Sequence, residues 1–149
     1  MSNAYNALRR RQQAEFNDFP VHFAFGDDQI KRKFKELNLD PENYADKIVS
    51  VGYGGFVLKE DAPALKAMWE RHAAERSEAI ASDKDGTGFI YDMFYYELLN
   101  HEYGYTGEVD DTLDALGYTE DDLDADPRLR NALDAATRKI DGVEEPENE

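Results

Sequence analysis

At 149 residues the chain has the length of one domain, and 41% hydrophobic and 12% aromatic residues suffice for a core. The absence of cysteine excludes disulfides, thiolate metal sites and thiol nucleophiles. A net charge of −16 disfavours nucleic acid and anionic membranes as partners and favours basic proteins.

The acid is unevenly placed. Residues 1–80 hold 12 Lys/Arg against 13 Asp/Glu, whereas residues 81–149 hold 5 against 20. Between Asp83 and Asp126 lie 14 carboxylates and one basic residue, Lys84. Aromatic residues crowd the same segment, so it is expected to fold rather than trail as an acidic tail. Met1–Gln13 has no apolar run, and no window approaches the roughly eighteen apolar residues of a membrane span. A cytoplasmic protein without leader or membrane span is the expectation.

In chain order, Ala4–Phe16 reads as a helix with Tyr5, Leu8 and Phe16 on its core side and a basic patch at Arg9–Arg11. Pro20 stops it, and Val21–Phe25 alternates weakly, as a short strand or extended link. Asp27 or Asp28 caps a helix through Leu37, with Ile30, Phe34 and Leu37 on one stripe. Ile48–Val51 and Phe56–Leu58 flank Gly52-Tyr53-Gly54-Gly55 as a β-hairpin. Those glycines lack the following Gly-Lys-Ser/Thr and helix of a phosphate loop. Asp61 caps a long helix with Pro63 in its first turn and Leu65, Met68, Trp69, His72 and Ile80 on one stripe. Asp83–Gly88 is a turn, Phe89–Asn100 an aromatic helix, and Tyr103-Gly104-Tyr105 a break. Thr112–Leu116 is a short helix closed by Gly117. Thr119 with Asp122 resembles a capping box, and Asp126-Pro127 starts a last helix. The pattern predicts a mainly helical α+β fold, about five helices with a small β-hairpin. It makes one acidic domain of residues 1–142 and a polar C-terminal tail of residues 143–149. The short connecting turn predicts that Leu65, Met68, Trp69 and His72 pack against Phe89, Met93 and Phe94.

Two clusters are candidates for metal chemistry. Asp83-Lys84-Asp85-Gly86-Thr87-Gly88-Phe89-Ile90 matches the first eight positions of an EF-hand loop, with Asp83, Asp85 and Thr87 as ligands and Gly88 as the turn glycine. The twelfth position, normally a bidentate Glu, is Phe94, so useful calcium affinity is not expected, and turn geometry and capping explain the loop. Glu97 and His101, four apart on one helical face, are a candidate two-ligand site for a transition metal or an acid–base pair. His72, on an apolar stripe, reads as a satisfied core histidine. No cofactor is expected.

The run Phe89, Tyr91, Phe94, Tyr95, Tyr96, Tyr103 and Tyr105 has the rings of a base-stacking platform but interleaves carboxylates where lysine and arginine belong. Most of these rings are expected in the core, with Tyr95 and Tyr103 as candidate exposed interface tyrosines. Eight carboxylates, Glu108, Asp110, Asp111, Asp114, Glu120, Asp121, Asp122 and Asp124, fall within 17 residues without a Lys or Arg, and are the expected partner-binding residues.

Gly88-Phe89-Ile90-Tyr91-Asp92-Met93-Phe94, Tyr96-Glu97-Leu98, Asn100-His101-Glu102-Tyr103 and Leu113-Asp114-Ala115-Leu116-Gly117 carry a family likeness. Phe19-Pro20, Phe23-Ala24-Phe25, Gly54-Gly55-Phe56-Val57 and Trp69-Glu70-Arg71-His72 add to it. Over roughly residues 5–140 the chain resembles a family of small, uncharacterised acidic proteins carried by phages and conjugative elements of gut bacteria. The resemblance implies a mobile-element setting and supplies no catalytic residues. Setting and charge together predict a non-enzymatic inhibitor of a host nucleic-acid-binding defence complex, anti-CRISPR or anti-restriction, acting as an acidic nucleic-acid mimic. Its partner would be a basic nucleic-acid-binding protein, with no direct contact to nucleic acid or membrane. The alternatives are an adaptor of mobile-element maintenance and a metal-dependent enzyme using Glu97 and His101.

Overall fold

The computed structural model describes residues 2–142, so the tail expected over residues 143–149 lies outside the described residues. Among the described residues eight α-helices replace the expected five or so: α1 (Ala4–Asp18), α2 (Asp27–Glu36), α3 (Ala62–Ser82), α4 (Phe89–Asn100), α5 (Tyr103–Thr106), α6 (Asp110–Leu116), α7 (Glu120–Ala125) and α8 (Pro127–Asp141). Of the short helices, α6 was expected from Thr112 and the start of α7 was marked by the Thr119–Asp122 box, whereas α5, a single turn, is too short to show a helical period in sequence. Tyr103-Gly104-Tyr105, expected as a break, is itself a helical turn, closed by Gly107 in the left-handed region.

The hairpin gains a third strand. β1 (His22–Phe23), β2 (Ile48–Gly52) and β3 (Gly55–Leu58) form an antiparallel sheet in the order β1-β3-β2. His22 pairs with Phe56, and Ile48, Val49 and Ser50 pair with Leu58, Val57 and Phe56. The chain divides into two compact units, one of Gln12–Ala74 and one of the residues through Arg11 with those from Glu75 onward.

In the unit of Gln12–Ala74, the central strand β3 is buried on both faces. Phe56 packs with Ala24, Phe34, Leu37, Leu39 and Ile48. Val57 packs with Leu65, Met68, Phe16, Phe19, Val21 and Val51. Within this unit β3 thus covers Leu65 and Met68 of the α3 stripe, and Trp69 stacks on Phe16 at 6.4 Å between ring centroids. Helix α2 begins after Gly26, which has no side-chain cap, so Asp27 and Asp28 occupy the first turn rather than the cap. There the helix dipole favours them.

The other unit is all helix. Ile90, Met93, Phe94 and Leu98 of α4 are buried with Leu129, Ala132, Leu133 and Ala136 of α8 and with Tyr5, Leu113, Leu116 and Leu123. α4 is apolar on most of its circumference, which is the signature of a central helix. Two predicted caps form as expected. Thr119 and Asp122 exchange both bonds of the capping box, at 3.2 and 2.8 Å. Asp126 accepts from the Arg128 N–H at 3.1 Å, with Pro127 in the first turn of α8.

Candidate docking surface

The acidic residues sit on two short helices whose inner sides are anchored. Leu113 and Leu116 of α6 and Leu123 of α7 are buried in the helical core. Thr112 is fully buried, and its hydroxyl donates to the Glu97 carbonyl at 3.3 Å. With the apolar side fixed inward, the polar side faces solvent. All eight expected partner-binding residues, Glu108, Asp110, Asp111, Asp114, Glu120, Asp121, Asp122 and Asp124, are exposed.

Their local roles differ. Arg130 of α8 donates to Glu120 at 2.7 Å and to Asp124 at 2.8 Å. These bonds, Glu120 foremost, hold the guanidinium above its ordinary pKa. The Asp122 carboxylate accepts the Thr119 N–H of the capping box. Among the described residues, the side chains of Glu108, Asp110, Asp111, Asp114 and Asp121 have no hydrogen-bond or ion-pair partner. Asp110 and Asp111 start α6, and Glu120, Asp121 and Asp122 start α7. The helix dipole offsets part of the repulsion among them.

The EF-hand-like segment is folded as a clasp. The Asp83 carboxylate accepts three backbone N–H groups: Gly86 at 3.1 Å, Gly88 at 3.1 Å and Ile90 at 2.9 Å. It thereby caps α4 from seven residues back. Asp85 accepts from the Thr87 hydroxyl at 2.6 Å and from the Thr87 N–H at 3.0 Å, and the hydroxyl bond is the larger cause of its lowered pKa. The turn glycine is Gly86, with φ +81°, not Gly88, whose φ is −106°. A Cβ on Gly86 would stand 2.6 Å from the Arg128 carbonyl oxygen, so α8 closes directly on the loop. Arg128 then donates to the Ile80 and Asp83 carbonyls at 2.9 and 2.7 Å.

Glu97 is buried and held by α1. Tyr5 Oη donates to it at 2.8 Å, Asn100 Nδ2 at 3.3 Å, and Arg9 Nη1 lies 3.7 Å away. Burial, then the bond to Glu97, pushes the Tyr5 phenol above its ordinary pKa, so it stays a donor. The Arg9 guanidinium lies 5.1 Å from the Tyr96 ring centroid and 5.9 Å from that of Tyr5. His101 caps the C-terminal end of α4 through its backbone, and no hydrogen bond joins its ring to Glu97. Among the described residues no three His, Cys, Asp or Glu side chains converge as a metal site.

The other expected positions resolve individually. His72 Nε2 meets Glu15 at 2.9 Å, and Arg71 pairs with the same carboxylate. Tyr103, expected exposed, is buried, and its hydroxyl donates to Asp141 at 3.0 Å. The exposed tyrosine of that segment is Tyr105, which the aromatic run could not single out. No helix among the described residues is long and apolar enough to cross a membrane.

No curated protein and no solved structure matches the chain. A family model covers nearly its whole length, residues 4–139, and the chain therefore belongs to the family of unknown function DUF7659.

Proposed function

We propose that the chain is a non-enzymatic binding protein whose α6–α7 carboxylates dock on a basic, nucleic-acid-binding host defence complex where phosphates would otherwise lie. The observation that carries this reading is the set of five exposed carboxylates, Glu108, Asp110, Asp111, Asp114 and Asp121, whose side chains have no ion-pair partner among the described residues. Four of them stand on helices whose inner side chains are fixed in a core, and Glu108 lies just before α6, so little ordering cost accompanies binding. A cationic channel relieves their mutual repulsion and gains charge-assisted hydrogen bonds. The likeness to proteins of phages and conjugative elements supports a restriction or CRISPR effector as the partner.

The test reverses charges whose side chains make no hydrogen bond or ion pair among the described residues: Asp110→Lys, Asp111→Lys, Asp114→Lys and Asp121→Lys together, with folding checked by circular dichroism. Asp122 is left intact because it caps α7. Wild type should bind a purified effector in competition with its DNA. Affinity should fall steeply with salt, because the surface displaces phosphate contacts. The variant should lose at least about tenfold in Kd, or about 1.4 kcal/mol. It should also fail to protect an incoming phage or plasmid from restriction or CRISPR interference. Equal protection by the folded variant, or no protection by wild type in any such host, favours an adaptor of mobile-element maintenance instead.

A further inference from the structure

Among the described residues of the helical unit, the large apolar side chains left exposed are Leu99, at 51%, and Tyr105, at 93%. Both lie where the chain leaves α4 for the acidic helices. The Glu102 N–H donates to the Leu99 carbonyl at 3.2 Å, and the Tyr105 N–H to the Glu102 carbonyl at 2.9 Å. The core does not need the Tyr105 ring, because Tyr103 of the same turn fills that role and donates its hydroxyl to Asp141. The turn itself is fastened. The Gly107 N–H donates to the Tyr103 carbonyl at 2.8 Å, and the Glu108 N–H to the Thr106 hydroxyl at 3.1 Å. The ring thus projects from a held backbone. Glu102 precedes Tyr105 by one helical turn and Glu108 follows it by as much, and both are exposed. Neither carboxylate has a partner among the described residues.

We propose that Tyr105 serves this surface as a nucleobase surrogate, and that the partner is a protein channel built for single-stranded nucleic acid, with side chains that stack on bases. This rests on the docking of the α6–α7 carboxylates and names the kind of channel that receives them. A single strand offers splayed bases between phosphates, and its binders meet it with cations beside aromatic rings or arginine planes. Glu102, Tyr105 and Glu108 present carboxylate, ring and carboxylate in that order, and Asp110, Asp111 and Asp114 of α6 continue the charge. A duplex keeps its bases within the stack, so a partner shaped to duplex phosphates has no slot for a projecting ring. In a single-strand channel the same ring gains stacking area and, over arginine, a cation–π contact. Tyrosine adds these at low ordering cost, having few rotatable bonds.

The experiment titrates two peptide probes into the full chain by calorimetry: octalysine, and octalysine with one central residue replaced by tryptophan. Despite its smaller charge, the tryptophan peptide should bind wild type about fivefold more tightly. Tyr105→Ala should abolish that gain and leave octalysine binding unchanged, whereas Tyr105→Phe, which keeps the ring, should retain it. The side chain is almost wholly exposed, so both variants should fold, as circular dichroism checks. On the effector used for the charge-reversal test, wild type should displace a single-stranded oligonucleotide more readily than a duplex of the same sequence. Equal affinity for the two peptides, a tryptophan gain that survives Tyr105→Ala, or preferential displacement of the duplex would each overturn the proposal and leave the acidic docking surface in place. Failure of octalysine to bind would remove that surface, and this proposal with it.

Discussion

Asp83 carries more backbone hydrogen bonds than any other side chain of the loop it opens. Its three bonds to Gly86, Gly88 and Ile90 hold the turn and the start of α4 together. Asp83→Ala removes all three acceptor contacts and should lower unfolding free energy by about 2 kcal/mol in urea titrations. Asp83→Asn keeps one acceptor oxygen and should lose about half of that. Calcium should leave the thermal midpoint of wild type unchanged, because Asp83 already serves backbone donors and Phe94 stands where a bidentate carboxylate is needed. The motif was legible in the sequence as a turn. Its hinge was not, because the pattern points to Gly88, while the close approach of the Arg128 backbone makes Gly86 obligatory. Glu97 was misread for a similar reason. Its partners Tyr5 and Arg9 lie about ninety residues earlier, and spacing within α4 says nothing of them.

Elements were legible where their ends carry local chemistry. The Thr119–Asp122 box and Asp126-Pro127 placed α7 and α8 correctly because capping is a contact among neighbours in sequence. α6 starts two residues earlier than expected, behind Val109, which offers no capping side chain. β1 is two residues long and exists only through its pairing with β3, so the weak alternation of Val21–Phe25 left both a short strand and an extended link open. The acidic residues are exposed, but their positions in the first turns of α6 and α7 depend on helix starts that composition does not reveal.

The start of α8 also yields a pH dependence. Hydrogen bonds from the Arg128 guanidinium hold the Asp126 carboxyl below its ordinary value. A carboxyl depressed in the folded state stabilises above its unfolded pKa of about 3.9, and that contribution fades as pH falls through the folded value. Asp126→Asn retains the cap and removes the charge. It should cost about 1 kcal/mol between about pH 5 and pH 8, and the difference from wild type should vanish in acid-range melts below the folded pKa.

At the scale of the whole molecule, charge opposes compactness. With 33 Asp/Glu against 17 Lys/Arg, folding concentrates like charge, and salt should relieve it. The urea midpoint should rise between about 20 and 300 mM sodium chloride by the equivalent of about 1 kcal/mol, with the slope unchanged. A midpoint that falls would mean that attractive pairs such as Arg130–Glu120 outweigh the repulsion.

The division of the chain sets an order of events at the ribosome. Gln12–Ala74 is contiguous and emerges complete, so its sheet and packed helices can close early. The first eleven residues, by contrast, belong with residues from Glu75 onward. Tyr5 waits 92 positions for the Glu97 carboxylate that accepts its hydroxyl hydrogen bond. Tyr5 is thus made well before the residues it packs against, and in that interval it remains exposed to chaperones or to a nascent neighbour.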